Sequence, residues 1–131
     1  MKVEEIRTIG VIGAGLMGHG IAQVFALKGY KVKLFDNDPK VLESAPERIR
    51  KNLQTLLEMR LVESQEVEDC LNHLQLCHTL TEMCKGVELT IEAVSENLDL
   101  KRAIFLDLER LTTPQTILCS NTSGISIGLI S

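Results

Sequence analysis

Arg7-Thr8-Ile9-Gly10-Val11-Ile12, running straight into Gly13-Ala14-Gly15-Leu16-Met17-Gly18, is the stretch on which the fold turns. Its first half is rich in Ile and Val and stops at a glycine, as a buried strand ending in a tight turn should. Its second half has the spacing G-x-G-x-x-G, and each glycine has its own physical reason. Gly13 permits the turn out of the strand, Gly15 lets main chain approach a pyrophosphate, and Gly18 lets the next helix pack closely on the strand. The anion then lies at the N-terminus of a helix opening near Leu16. There the unbonded N–H groups of Leu16 and Met17, with the positive end of the helix dipole, hold phosphate without a lysine.

Outward from this loop, short apolar runs alternate with longer amphipathic stretches, the pattern of a parallel α/β sheet. The first helix carries Ile21, Val24, Phe25 and Leu27 on its expected sheet-facing side and ends at Gly29. A second strand, 31–35, closes on Asp36. This carboxylate follows the glycine loop by about 20 residues, where it accepts hydrogen bonds from an adenosine ribose. It would repel the extra phosphate of NADP, and no arginine follows it in Asn37-Asp38-Pro39, so NAD is the expected cofactor. A methyltransferase-like nucleotide site is the rival reading of such a turn.

Asp38-Pro39 reads as an N-cap with proline in the first turn of a long helix marked by Ile49, Leu53, Leu56 and Leu57. Pro46 predicts a kink, or a break into two helices, near Ser44 to Pro46. Ser64 is expected to cap a helix to about His73, followed by a short strand over 74–77. Thr79 and Glu82 have capping-box spacing for a brief helix ended by Gly86. Strands are expected over 88–94 and 116–120 around an amphipathic helix over 98–111, and 124–131 begins a further element. The expected fold is a doubly wound, Rossmann-type, mainly parallel sheet with helices on both faces, cut off before its last strands.

Composition narrows the function. The 131 residues, 44% of them hydrophobic, suffice for one domain with a sizeable core. A formal charge of −4 makes nucleic acid or an anionic membrane a poor partner, so any bound anion must be held locally. Apolar runs fall short of a membrane span, and the N-terminus has no signal-peptide core. The expected location is the cytoplasm or an organelle matrix. Cys70, Cys77, Cys84 and Cys119 lack C-x-x-C spacing and read as reduced thiols. Cys70, His73, Cys77, His78 and Cys84 match no common metal-site spacing, so no metal is expected.

Three segments go beyond a generic dinucleotide fold: GAGLMGHGIAQVFA over 13–26, IEAVSENLDLK over 91–101 and SNTS over 120–123. In this order the chain resembles, over nearly its whole length, the N-terminal NAD-binding domain of L-3-hydroxyacyl-CoA dehydrogenases, including the 3-hydroxybutyryl-CoA members. The resemblance implies oxidation of a 3-hydroxyacyl-CoA to the 3-ketoacyl-CoA, with hydride passing to NAD. It implies that Glu96 and Lys101 lie at the nicotinamide ribose, that Ser123 contacts both cofactor and substrate, and that Asn121 shares its loop. From the residues alone, Glu96 reads equally as a loop carboxylate in water, Lys101 as a helix-surface cation, and Ser-Asn-Thr-Ser as a capping sequence. The resemblance also lays CoA along the helix after Asp36, whose polar side offers Arg48, Lys51, Asn52 and Arg60; such charges otherwise simply face water.

The family's proton acceptor is a histidine oriented by a glutamate, in segments after the SNTS stretch. None of His19, His73 or His78 stands at that place, and all three read as structural or surface residues. These 131 residues are therefore expected to bind cofactor with little or no turnover, while the parent enzyme dimerises through a helical domain absent here. Two other functions stay open: a dehydrogenase of a non-CoA hydroxy acid or sugar acid, and a stand-alone NAD-binding module.

Overall fold

The computed structural model describes residues 6–94 and 98–120. Ten elements follow in chain order: β1 (Thr8–Ile12), α1 (Leu16–Leu27), β2 (Lys31–Phe35), α2 (Pro39–Glu58), α3 (Ser64–Asn72), β3 (Leu74–Cys77), α4 (Leu80–Cys84), β4 (Leu89–Glu92), α5 (Leu98–Leu111) and β5 (Ile117–Ser120). The strands form one sheet in the order β3-β2-β1-β4-β5, every pairing parallel. β1 is central, which is why Ile9, Val11 and Ile12 are all buried. The chain builds away from β1 through β2 and β3, then crosses to its other side for β4 and β5. That reversal opens a crevice beyond the carboxyl ends of β1 and β4, where ligands bind in such sheets.

Two apolar clusters fill the two faces. One joins Val11, Leu34 and Val32 of the sheet to Ala22 of α1, Leu42, Ile49 and Leu53 of α2, and Cys70 of α3. The other joins Ile12, Phe35 and Cys77 to Met83 of α4 and to Ile104 and Leu108 of α5. All four cysteines are free, and Cys70, Cys77 and Cys84 are buried. Burial pushes the thiols of Cys70 and Cys84 from 9.0 up to about 11.

Three local expectations are corrected. The break expected near Ser44 to Pro46 does not occur: α2 runs as one helix through Pro46 from Pro39 to Glu58. Proline inside a helix costs about 3 kcal/mol. Leu42, Ala45, Ile49 and Leu53 bury one stripe of α2 on both sides of it, and each large apolar side chain so buried contributes roughly 1.5–3 kcal/mol. Packing outweighs the lost hydrogen bond.

In α1, Val24 is 48% exposed, and the inward stripe is Gly18, Ala22 and Ala26, one turn apart. A Cβ on Gly18 would collide with the Gly13 carbonyl, so the helix lies too close to β1 for large side chains there. Lastly, the cap of α3 is Glu63, whose N–H donates to Glu66 Oε1 at 2.9 Å, and Ser64 is already helical. The Thr79 cap holds: its Oγ1 accepts from Glu82 N–H at 3.1 Å.

Candidate functional site

The glycine loop leaves β1 at the crevice. Gly13 has φ +104°, a conformation that favours glycine, and its N–H donates to Phe35 O at 2.7 Å. A Cβ there would lie 2.7 Å from Ala93 O, while Ala93 N–H donates to Ile12 O at 2.7 Å. The loop is thus seated against the exit of β4. At Gly15 the situation is the opposite: a Cβ would meet nothing within 4 Å. Its main chain borders open space at the mouth of α1, where the first helical bond is His19 N–H to Gly15 O at 3.0 Å. The N–H groups of Leu16, Met17 and Gly18 precede that bond, so this is the donor set an anion at a helix N-terminus uses.

Asp36 stands where β2 ends. Its Oδ2 accepts from Ala14 N–H at 2.8 Å and its Oδ1 from Asp38 N–H at 2.7 Å. The carboxylate therefore ties the glycine loop to the turn that opens α2, a bracing role its sequence position did not reveal. Each oxygen keeps a second lone pair, so acceptance from a ribose hydroxyl remains open. Beside it lies a cavity of about 550 Å³ whose walls include Gly13, Gly15, Asp36, Val94 and Ile104. Among the described residues of its wall, the charged ones are Asp36 and Asp107. A nucleoside of ordinary size fits such a volume, and an extra ribose phosphate would meet carboxylate with no described cation to offset it. The residues fit NAD.

A second cavity, of about 460 Å³, shares Gly15 and is walled by His19, Val41, Arg48, Lys51 and Asn52. His19 is buried, with Nδ1 2.8 Å from Gly15 O and Nε2 3.4 Å from Asn52 Nδ2. Only the tautomer with the proton on Nδ1 donates to that carbonyl and accepts from Asn52. Asn52 also donates to Gln23 Oε1 at 3.0 Å. His19, set aside in the sequence as structural, thus joins α1 to α2 in this wall. Lys51 and Asn52 share this wall with Arg48. Arg60 does not join them: it follows the end of α2, with φ +60°, beyond six further residues of helical rise after Asn52, roughly 9 Å.

On the far side of the crevice, Glu92 closes β4 with a carboxylate that is fully buried, as is Lys101 of α5. Lys101 Nζ donates to Glu92 Oε2 at 2.6 Å and to Val94 O at 3.3 Å. Val94 N–H donates to the same Oε2 at 2.6 Å, and Ser120 Oγ donates to Oε1 at 2.7 Å. The surface-cation reading of Lys101 is overturned. Its helix turns this residue toward the sheet, where a buried charge requires a partner. Sequence reasoning missed Glu92; the available signal was an acidic residue closing an otherwise apolar strand. Glu96, Asn121 and Ser123, and the element expected over 124–131, lie outside the described residues. No helix among the described residues is long and apolar enough to cross a membrane.

Comparison with known proteins gives this edge a context. Residues 8–131 match the family model described as 3-hydroxyacyl-CoA dehydrogenase, NAD binding domain. The chain is 38% identical over 123 residues to a probable 3-hydroxybutyryl-CoA dehydrogenase of Bacillus subtilis, covering 94% of this chain and 42% of the relative. It is 36% identical to a glyoxysomal fatty acid beta-oxidation multifunctional protein of Cucumis sativus, covering 96% of this chain and 17% of that protein. The crystal structure of an Escherichia coli 3-hydroxybutyryl-CoA dehydrogenase superposes with a TM-score of 0.91 at 36% identity, over 96% of this chain and 26% of the other. The chain spans less than half the length of each of these relatives.

Proposed function

Since the chain belongs to the NAD-binding domain family of the 3-hydroxyacyl-CoA dehydrogenases, we propose that it holds the cofactor for hydride transfer between the 3-hydroxyl of a 3-hydroxyacyl-CoA and NAD. The observation that carries this reading is the pairing of an open Gly15 at the mouth of α1 with Asp36 in a cavity lined by no described cation. When bound, NAD supplies the hydride acceptor, and the residues of this chain supply its seat. Gly13, Gly15, Leu16, Met17 and Gly18 present main chain to the pyrophosphate, and Asp36 receives the adenosine ribose. Lys101, with Glu96, Asn121 and Ser123, serves the nicotinamide end, Ser123 also meeting substrate. Lys51 and Asn52, with Arg48, offer the second cavity to CoA phosphates; Arg60 would reach only a more distant part of that substrate.

The same reading makes the whole protein a homodimer through residues outside this chain. It also places the protein in the cytoplasm or an organelle matrix, supported by the relative named glyoxysomal. The 131 residues by themselves bind NADH without appreciable turnover, because no histidine among them faces the nicotinamide end as a base. Measurable NAD-dependent oxidation of 3-hydroxybutyryl-CoA by the isolated chain would contradict this.

Calorimetric titration with NADH and NADPH, for the unchanged chain and Asp36→Ala, tests the cofactor seat. The unchanged chain prefers NADH, and the variant loses most of that preference, because the carboxylate that repels the extra phosphate is gone. The ratio is the informative quantity. Asp36 also braces the glycine loop, and loss of bracing alone would weaken both nucleotides alike. An undiminished preference in the variant would remove Asp36 from ribose recognition.

A further inference from the structure

Glu92 occupies the point where three parts of the nicotinamide side meet. In the sheet it lies between Ile12 of β1 and Ser120 of β5. Its carboxylate receives the Lys101 ammonium, the Val94 N–H and the Ser120 hydroxyl, all within 2.6–2.7 Å. Lys101 returns a bond to Val94 O. The main chain of Val94, by which the chain leaves β4, is thus held at both the N–H and the carbonyl of that residue by one ion pair. Val94 is itself part of the 550 Å³ cavity wall.

Fold stability does not account for this pair. Bringing two charges out of water offsets most of their mutual attraction, and well-packed apolar residues of the same volume commonly do as well. The pair's position points elsewhere. It sits at the carboxyl edge, at the reversal of strand order, on the side of β1 opposite Asp36. A dinucleotide whose adenosine end meets Asp36 and whose pyrophosphate meets the glycine loop extends its other ribose toward β4 and β5. An ammonium has three N–H donors, and two of Lys101's are committed within the protein.

We infer that Glu92 is the positioning residue for the nicotinamide half of the cofactor: through one buried carboxylate it fixes Lys101, the Val94 peptide and Ser120 at the ends of β4 and β5. It touches no reacting atom and acts through Lys101. This rests on the cofactor reading above, so the test separates the two halves of the dinucleotide. ADP carries the adenosine and phosphates alone, whereas NADH carries the second ribose and nicotinamide as well.

The affinities of ADP and NADH are measured calorimetrically for the unchanged chain, for Glu92→Gln, and for the double variant Glu92→Gln with Lys101→Met. Glutamine keeps one acceptor oxygen for Val94 N–H and turns its amide N–H to the Ser120 hydroxyl, which can accept as well as donate, but it removes the countercharge. Its NADH affinity falls by at least about tenfold, as befits loss of a charge-assisted contact, while ADP affinity stays within about twofold, as for a separate site. The double variant, free of the unpaired ammonium, folds even where the single variant does not, and it lacks the NADH advantage because Lys101, through which Glu92 acts, is gone. Equal losses for ADP and NADH in Glu92→Gln, or recovery of the NADH advantage in the double variant, would show a purely structural pair and overturn the inference. Failure of ADP to bind the unchanged chain would overturn the cofactor reading itself, and this inference with it.

Discussion

Where β1 and β2 end, the site is made of main chain; where β4 and β5 end, it is made of buried side chains. On the first side, Gly13 turns with φ +104°, Gly15 borders open space, and Asp36 bonds two backbone N–H groups. On the second, Glu92, Lys101 and Ser120 meet in a charge cluster with the Val94 peptide. The first arrangement depends on which residues can adopt a conformation or permit an approach. The second depends on compensating a charge away from water. The two sides should therefore fail differently when altered.

The largest effect is expected on the charged side. Lys101→Met leaves Glu92 buried without its countercharge and should cost about 3–5 kcal/mol of stability, whereas removing both charges together recovers most of that loss. Urea unfolding of the two variants checks this. A single variant as stable as the unchanged chain would mean that the remaining bonds to Glu92 satisfy the carboxylate, and the contrast between the two sides would weaken.

A smaller effect is expected on the main-chain side, and there stability and binding should separate. Gly18→Ala drives a Cβ into the Gly13 carbonyl and should destabilise by about 1–3 kcal/mol, as overpacking does. Gly15→Ala meets no protein atom within 4 Å. It should cost under about 1 kcal/mol, the range of helix N-cap changes, yet weaken NADH binding, because its methyl group stands where the pyrophosphate approaches. Thermal unfolding and NADH titration of both variants, side by side, sharpen the comparison. Equal stability losses would show that Gly15 also serves packing.

At neutral pH the smallest effect comes from the core beneath both sides. Burial raises the Cys70 and Cys84 thiols from 9.0 to about 11. The folded state therefore holds these protons to higher pH than the unfolded chain does. Their contribution to stability is complete below pH 9.0 and declines as pH rises through about 11. Urea midpoints should fall across that interval, and at neutral pH a thiol reagent should modify half-buried Cys119 well before Cys70, Cys77 or Cys84. Rapid labelling of all four would indicate a looser core than the packing described.

The difference between the two sides also explains what could be read in advance. Gly13, Gly15, Gly18 and Asp36 were legible because their requirements are local: a turn, an open approach, a close packing, and a carboxylate one strand away. Helix α5 and the Asp38-Pro39 start of α2 were legible for the same reason. Pro46 misled because its local cost was weighed without the buried stripe of α2 that outweighs it. Val24 misled because hydrophobicity was counted without the closeness of α1 to β1. The joining of His19 to Asn52 was invisible because it spans two helices.

Local sequence was enough for the strand-turn-helix with its phosphate-binding loop, the acidic residue after β2, and the alternation that makes a parallel sheet. Each of these follows from steric and hydrogen-bonding demands within a few residues. That Lys101 is interior, that Glu92 is its partner, and that Ser120 shares the carboxylate emerges only in three dimensions. These residues are brought together by the register of β4 against β5 and by the rotation of α5 over the sheet, and a buried charge finds its partner by where strands and helices place it in space.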